Sequence, residues 1–431
     1  MWSHRSLRVT ANGIIAIAIL TSAVGAQVPT VTLDEARRLS AAVDPTTVAA
    51  RSQSSTAAWE RRAAMANLFT PVVTAGANVT SFSDPFFNLG TGDISSKSTS
   101  ATVQAHYTLL GAGKLGDLRS ARASVDRAEA NEIAAKYRSA LETDAAYFAV
   151  LANQELSRVS NERLLRAEEA LGIARLRVQE GEAIPSDSLQ LLLEVNRARL
   201  ELLSRDSALI TSRLALGSRI GLQGSADAAP IDSATPPALP ISQDEAVEEL
   251  RRRGPELEAA RATERFANAV VTSRSERYLP EIALDATVGA YDAELFPSAT
   301  HRSQVALSVS LPIWNGGQRE LAVARARADR ANASATRQER ERAAGEVMSE
   351  AYQGYVTARA AIDLARVGVA AAAENYRVQR VRYAEGATTI LDLLEAQVGL
   401  SEAEAALVQS RYAAQLSLAR IEALLGRRVL Q

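Results

Sequence analysis

The sequence predicts a mainly α chain written twice, each half holding one very long helix and a pair of strands patterned for a membrane. Three observations predict it. Landmarks recur in one order about 203–210 residues apart, each half has an unbroken helical stretch, and segments of about ten residues alternate apolar and polar faces. Composition agrees: the chain has 431 residues, 47% of them hydrophobic but only 5% aromatic, which favours long helices over a compact core.

Residues 1–26 are expected to be an export signal. Arg5 and Arg8 precede a short apolar core, Gly13 to Leu20, and Val24-Gly25-Ala26 supplies the small residues a peptidase needs. Cleavage after Ala26 would leave Gln27 first; a retained N-terminal anchor is the other reading. The apolar stretch is too short to span a bilayer as a helix, which takes about 20 residues. No later segment is long enough either, so only a closed barrel would carry this chain through a membrane. The absence of cysteine excludes disulfides, an acylated lipoprotein and thiolate metal sites. A net charge of −2 argues against nucleic acid, which needs a basic face.

The first repeat is expected over 27–222 and the second over 242–431, with an Ala/Pro/Ser-rich linker at 223–241. Leu33-Asp34-Glu35-Ala36 opens a helix over 34–68, and Gln243-Asp244-Glu245-Ala246 opens its counterpart over 243–278. Both run to an aromatic-x-Pro step, Phe69-Thr70-Pro71 and Tyr278-Leu279-Pro280. Two strands follow in each half. Val73, Ala75, Ala77 and Val79 share one face, and so do Val103, Ala105, Tyr107 and Leu109, against Thr102, Gln104, His106 and Thr108. The second half repeats this with Ile282, Leu284, Ala286 and Val288, then Val305, Leu307, Val309 and Leu311. This is the weak signature of a transmembrane strand, and a half-buried soluble hairpin is the alternative. Polar loops are expected from Ser83 to Ser98 and from Asp292 to Thr300. Phe69, Phe82, Tyr278, Tyr291 and Trp314 stand at strand ends, where interfacial aromatics lie.

Each half then runs as one helix, from near Gly116 to Gly181 and from near Gln318 to Gly386. At 1.5 Å per residue each is roughly 100 Å long. Shorter helices follow at 187–221 and 391–426. In the last helix, Leu394, Val398, Ser401, Ala405, Val408 and Tyr412 form one 3–4 seam. Ala396, Leu400, Ala403, Leu407, Ala414, Ile421 and Leu424 form another on the opposite flank. A helix with two such seams has a neighbour on each side, as in the wall of a tube. Glu395, Glu402 and Gln409 on one remaining face, and Glu404 and Arg411 on the other, are expected to be wet.

Chemistry-bearing motifs are few. Gly111-Ala-Gly113-Lys-Leu-Gly116 fits a dinucleotide fingerprint, but its helix runs far past any βαβ crossover and no acid-tipped parallel strand follows. His106 and His301 lack ligand-spaced partners, and no nucleophile–base pair stands out. No enzyme activity, metal or cofactor is expected. The two helix–turn–helix tips carry the polar residues of interest: Gly181 to Asp187, and Gly386 to Asp392 with Glu395 one turn on. The glycines suit left-handed helix ends, and the aspartates suit an N-cap or a first turn.

On the helix openings, the aromatic-x-Pro steps, the Gly-x5-Asp tips and their duplicated order, the chain resembles the TolC-type outer-membrane efflux and secretion channel family. The resemblance covers the whole mature length. It implies a homotrimer whose protomers each give four strands to a 12-stranded barrel in outer-membrane lipid, above a 12-helix periplasmic tunnel. It implies a passive exit duct opened at its tip by a periplasmic adaptor (membrane fusion) protein and an inner-membrane pump. It implies an acidic ring at the periplasmic aperture, matched by Asp392 and Glu395, and a closed-state hydrogen bond from Tyr383 to Asp187. Like charges in such a ring would raise some of their pKa values. Where the family's arginine stands two residues after the tip glycine, this chain has Thr388, so the clasp made by that arginine is not implied here. A periplasmic coiled-coil scaffold or adaptor is the alternative reading.

Overall fold

The computed structural model describes residues 28–430 except 88, 90, 91, 93, 112, 232–235 and 293–298. The expected signal segment lies outside these. In chain order the elements are β1 (Thr30–Val31), α1 (Leu33–Val43), α2 (Pro45–Phe69), β2 (Val72–Phe87), β3 (Ile94–Leu110), α3 (Lys114–Gln179) and α4 (Pro185–Arg219). Then follow β4 (Asp227–Ala228), α5 (Gln243–Arg253), α6 (Pro255–Glu276), β5 (Glu281–Asp292), β6 (Thr300–Ser310), α7 (Gln318–Ala384) and α8 (Ile390–Leu425).

The long helices α3 and α7 have 66 and 67 residues. Each is bounded by glycines in the left-handed region, Gly113 and Gly181 for the first, Gly317 and Gly386 for the second. Only a residue without Cβ takes that backbone cheaply, so glycine marks both the passage from strand into helix and the turn into the next helix.

Two expectations need correction. Residues 34–68 and 243–278 are not single helices: each breaks before a proline. Asp44 and Gly254 leave the helical region at ψ 120° and ψ 128°, and Pro45 and Pro255 start the next helix. Proline has no N–H for the helical ladder and crowds the residue before it out of the α region. The first hairpin is also longer than expected. Residues assigned to its loop extend the strands to Phe87 and from Ile94, after a register shift between Ser81 and Phe86. Phe82 and Phe86 put their ring centroids 4.3 Å apart there, which supplies apolar contact that the polar composition hides.

The four long strands form one antiparallel sheet in the order β2-β3-β5-β6. Register brings Val103 opposite Val288, and Leu284 between Tyr107 and Leu307. The face carrying Val103, Val288, Val305, Leu307 and Val309 is exposed. The other face is polar, with His106 Nδ1 2.7 Å from Asp285 Oδ1. Among the described residues no helix is long and apolar enough to cross a membrane.

Below the sheet the helices repeat its logic. Next to the strands the row reads α2, α3, α6, α7; towards the far end it reads α4, α3, α8, α7. All three levels are therefore rows of four with two open edges. The two seams of α8 are filled as expected by two neighbours. Val408 and Ala405 pack on Leu156 and Val159 of α3, while Ile421 packs with Met348 and Tyr355 of α7. Glu404, expected wet, instead accepts from Arg166 of α3 at 2.9 Å. The inter-repeat linker is tied down too: β4 pairs in parallel with β1, and Asp227 accepts from Arg213 at 2.6 Å.

Candidate functional site: the helical tips

The far end of the helical rows is built by two turns, α3–α4 and α7–α8. Each long helix ends in the same motif. Gly181 N–H donates to Val178 O (3.2 Å) and Glu182 N–H to Arg177 O (2.8 Å); Gly386 N–H donates to Tyr383 O (3.1 Å) and Ala387 N–H to Arg382 O (2.7 Å). These paired bonds satisfy carbonyls that the helix end would leave open. A shared apolar core sits just above, with Leu171 and Ala174 of α3, Leu191 and Val195 of α4, Tyr383 of α7, and Leu393 and Leu400 of α8.

The restarts differ. Thr389 caps α8 in a full capping box: its hydroxyl accepts from Asp392 N–H (3.3 Å), and the Asp392 carboxylate accepts from Thr389 N–H (3.0 Å). Hydroxyls of Thr389 (2.6 Å) and Thr388 (2.8 Å) donate to the same carboxylate. The Thr389 and Thr388 bonds hold the Asp392 carboxyl below the ordinary carboxylate range. Within the protomer, hydrogen bonds to the ionised form dominate. Thr388, which departs from the family pattern, thus serves this cap. Glu395 is exposed one turn on. In α4 the cap position is Ile184, with Pro185 first in the helix and no side-chain capping bond. Asp187 is a first-turn acid there.

Tyr383 is 1% exposed, and its hydroxyl has no hydrogen-bond partner among the described residues. The Tyr383–Asp187 bond implied by the resemblance is not among those this protomer makes. Asp187 is nevertheless close enough to act on the phenol: burial first, then the Asp187 carboxylate, push the hydroxyl's pKa up, opposed by Arg177. What joins the tips instead is Arg177. Its Nη1 donates to Tyr383 O at 2.7 Å, its Nη2 to Glu182 O at 3.2 Å, and its guanidinium lies 5.1 Å from the Tyr383 ring centroid. Arg382, the counterpart of Arg177, only closes its own turn, donating to Ala387 O at 3.2 Å. Arg177 and Arg382 each stand four residues before a tip glycine, but nothing in that pattern says that one copy's arginine reaches across to the other.

The described residues contain no group of three or more His, Cys, Asp or Glu able to hold a metal. The site is thus a pair of turns, each followed by a helix with an acid in its first turn, and joined by a cationic link.

Comparisons place this architecture. The chain matches the Outer membrane efflux protein family over residues 40–222 and 246–427. It is 24% identical over 193 residues to outer membrane protein TolC of Escherichia coli (strain K12), covering 42% of this chain and 39% of that relative's length. Among solved structures it is similar to the Campylobacter jejuni CmeC outer membrane channel, with TM-score 0.79, 18% identity, and 91% and 85% of the two chains covered. It is also similar to the outer-membrane channel OprN, with TM-score 0.78, 21% identity and 91% and 89% covered. The open state of the Neisseria gonorrhoeae MtrE outer membrane channel gives TM-score 0.74, 21% identity and 92% and 89% covered. With its sheet in the outer membrane and its long helices in the periplasm, the chain belongs to the outer membrane efflux protein family.

Proposed function

We propose that the chain is one of three identical protomers of a passive exit duct, which serves a tripartite efflux or type I secretion system. Its tip is opened by a periplasmic adaptor and an inner-membrane pump. The observation that carries this reading is the open row. Four strands cannot close a barrel, since known transmembrane barrels start at eight, and unpaired edges are not tolerated in lipid. The exposed apolar face with Val305, Leu307 and Val309 supports lipid contact. Two repeats, 27–222 and 242–431, joined by 223–241, supply the strands in pairs. Family likeness supports the number three, giving 12 strands above 12 helices.

At the periplasmic mouth, threefold symmetry would gather Asp392 and Glu395 of each copy into a ring of six carboxylates, and such rings make pores cation-selective. Asp187, Tyr383, Gly181 and Gly386 belong to the hinge of the same mouth. The test is reconstitution of the purified protein in planar bilayers under a salt gradient. Small, cation-selective channels are expected. No conductance, together with recovery in the soluble periplasmic fraction and no heat-modifiable migration, would favour a periplasmic scaffold instead.

A further inference from the structure

The open edges of the helical rows carry apolar side chains that nothing in one protomer covers. On α4, Leu189, Leu203, Ile210 and Leu214 are exposed, Leu203 to 61%. On α7, Val381, Val367, Ala360 and Val356 are exposed, Val367 to 70%. Both sets are separated by 14, 7 and 4 residues, steps that keep a side chain on one flank of a helix. In each helix this flank lies about 100–180° around the axis from the buried side, marked by Ala198 in α4 and Ile362 in α7.

The two sets also stand at matching heights. Bonding between Arg177 and Tyr383 holds the tips level within a protomer, and rotation about the tube axis keeps them level between copies. Counted from the tip ends of the helices, at Pro185 and Ala384, the four positions lie 4, 18, 25 and 29 residues along α4 and 3, 17, 24 and 28 along α7. Each pair is offset by the same single residue, about 1.5 Å. We infer that α7 of a second copy covers α4 of the first along one antiparallel apolar seam. That seam pairs Leu189 with Val381, Leu203 with Val367, Ile210 with Ala360, and Leu214 with Val356.

This rests on the oligomer proposed above and assigns its joint. The joint is head-to-tail, two different surfaces meeting, which closes into a ring when the rotation allows. Nearer the membrane the same edge of α7 continues the joint. Trp59, 67% exposed, lies ten residues before the end of α2, and Ala328 lies ten residues after the start of α7. A large knob thus meets a small residue at the same height.

The chain has no cysteine, so engineered pairs are unambiguous. The full-length Leu203→Cys/Val367→Cys protein, extracted in detergent and oxidised with copper–phenanthroline, should run as a reducible covalent trimer. Neither single variant should, and neither should Leu203→Cys/Val356→Cys, whose partner position lies about 16 Å along the helix. Ile210→Cys/Ala360→Cys provides a second in-register pair should the first disturb folding. Native mass is measured on the same samples. A trimer that fails to cross-link at both in-register pairs, or that cross-links at the mismatched one, overturns the seam while leaving the oligomer standing. A monomer overturns both.

Discussion

Arg177→Ala is the substitution that bears most on the tip. The wild-type guanidinium is buried to 13% side-chain exposure and makes one short bond across the two turns, 2.7 Å to Tyr383 O. A charge-assisted bond of this kind contributes about 1.5–3 kcal/mol, and the cation–ring contact about 0.5–1. Taking about 2 kcal/mol per copy, loss of the link shifts the closed-to-open balance of one copy by a factor of about 30. Three copies acting independently would lose roughly 6 kcal/mol. The expected result in planar bilayers is higher single-channel conductance or longer open dwell times, with leakage of large antibiotics in cells. Arg382→Ala is the matched control: its bond stays within its own turn, so conductance should not change. If Arg177→Ala leaves conductance, dwell times and leakage at the wild-type level while the protein remains folded, Arg177 does not hold the mouth.

Four further outcomes follow from the same geometry. Tyr383→Phe should leave conductance unchanged, because the hydroxyl has no partner and the acceptor for Arg177 is the main chain; a clear rise would restore the hydroxyl link to Asp187. Gly386→Ala should destabilise the tip more than Gly181→Ala in thermal unfolding. Both bear a left-handed cost of about 1–2 kcal/mol, but only at Gly386 would the new Cβ meet Arg177 Nη2, at 3.0 Å. Equal losses would count against that contact. The Asp392→Ala/Glu395→Ala variant should lose cation selectivity and block by trivalent cations added from the periplasmic side. Reversal potentials identical to wild type would leave Asp392 a helix cap only. Finally, because its pKa is depressed, Asp392 keeps its charge and its cap above the ordinary carboxylate pKa and loses them only as pH falls through the lower, folded value. Wild-type selectivity should therefore survive mild acidification. In Thr389→Val, where the Thr389 hydroxyl bond is gone and only that of Thr388 is left, it should weaken at higher pH; coincident pH profiles would disprove the role of the cap.

Where the sequence was legible, the reason was redundancy. The long helices are bounded by glycines whose left-handed backbone no other residue takes cheaply, and the same glycines recur in both halves. The strand faces follow from alternation alone. The breaks at Asp44-Pro45 and Gly254-Pro255 were also written in the chain, in prolines that cannot join the helical ladder and that push the residue before them out of the α region. The pairing of β1 with β4 leaves no trace, since two residues show no period. At the tips the acids and glycines were legible by position. The link was not, because an arginine's reach depends on how two distant turns are set side by side. Arg177 and Arg382 occupy equal sequence positions but make unequal contacts. Thr388 read as a lost arginine until its bond to Asp392 gave it a place in the cap.

Native mass spectrometry of the detergent-extracted protein tests the central claim most directly. Open edges at the sheet and at both helical levels require other copies, and the account predicts a particle of three chains that migrates as a folded oligomer until heated. A stable, folded monomer would contradict it, because a four-stranded sheet with two bare edges would then have to be complete by itself.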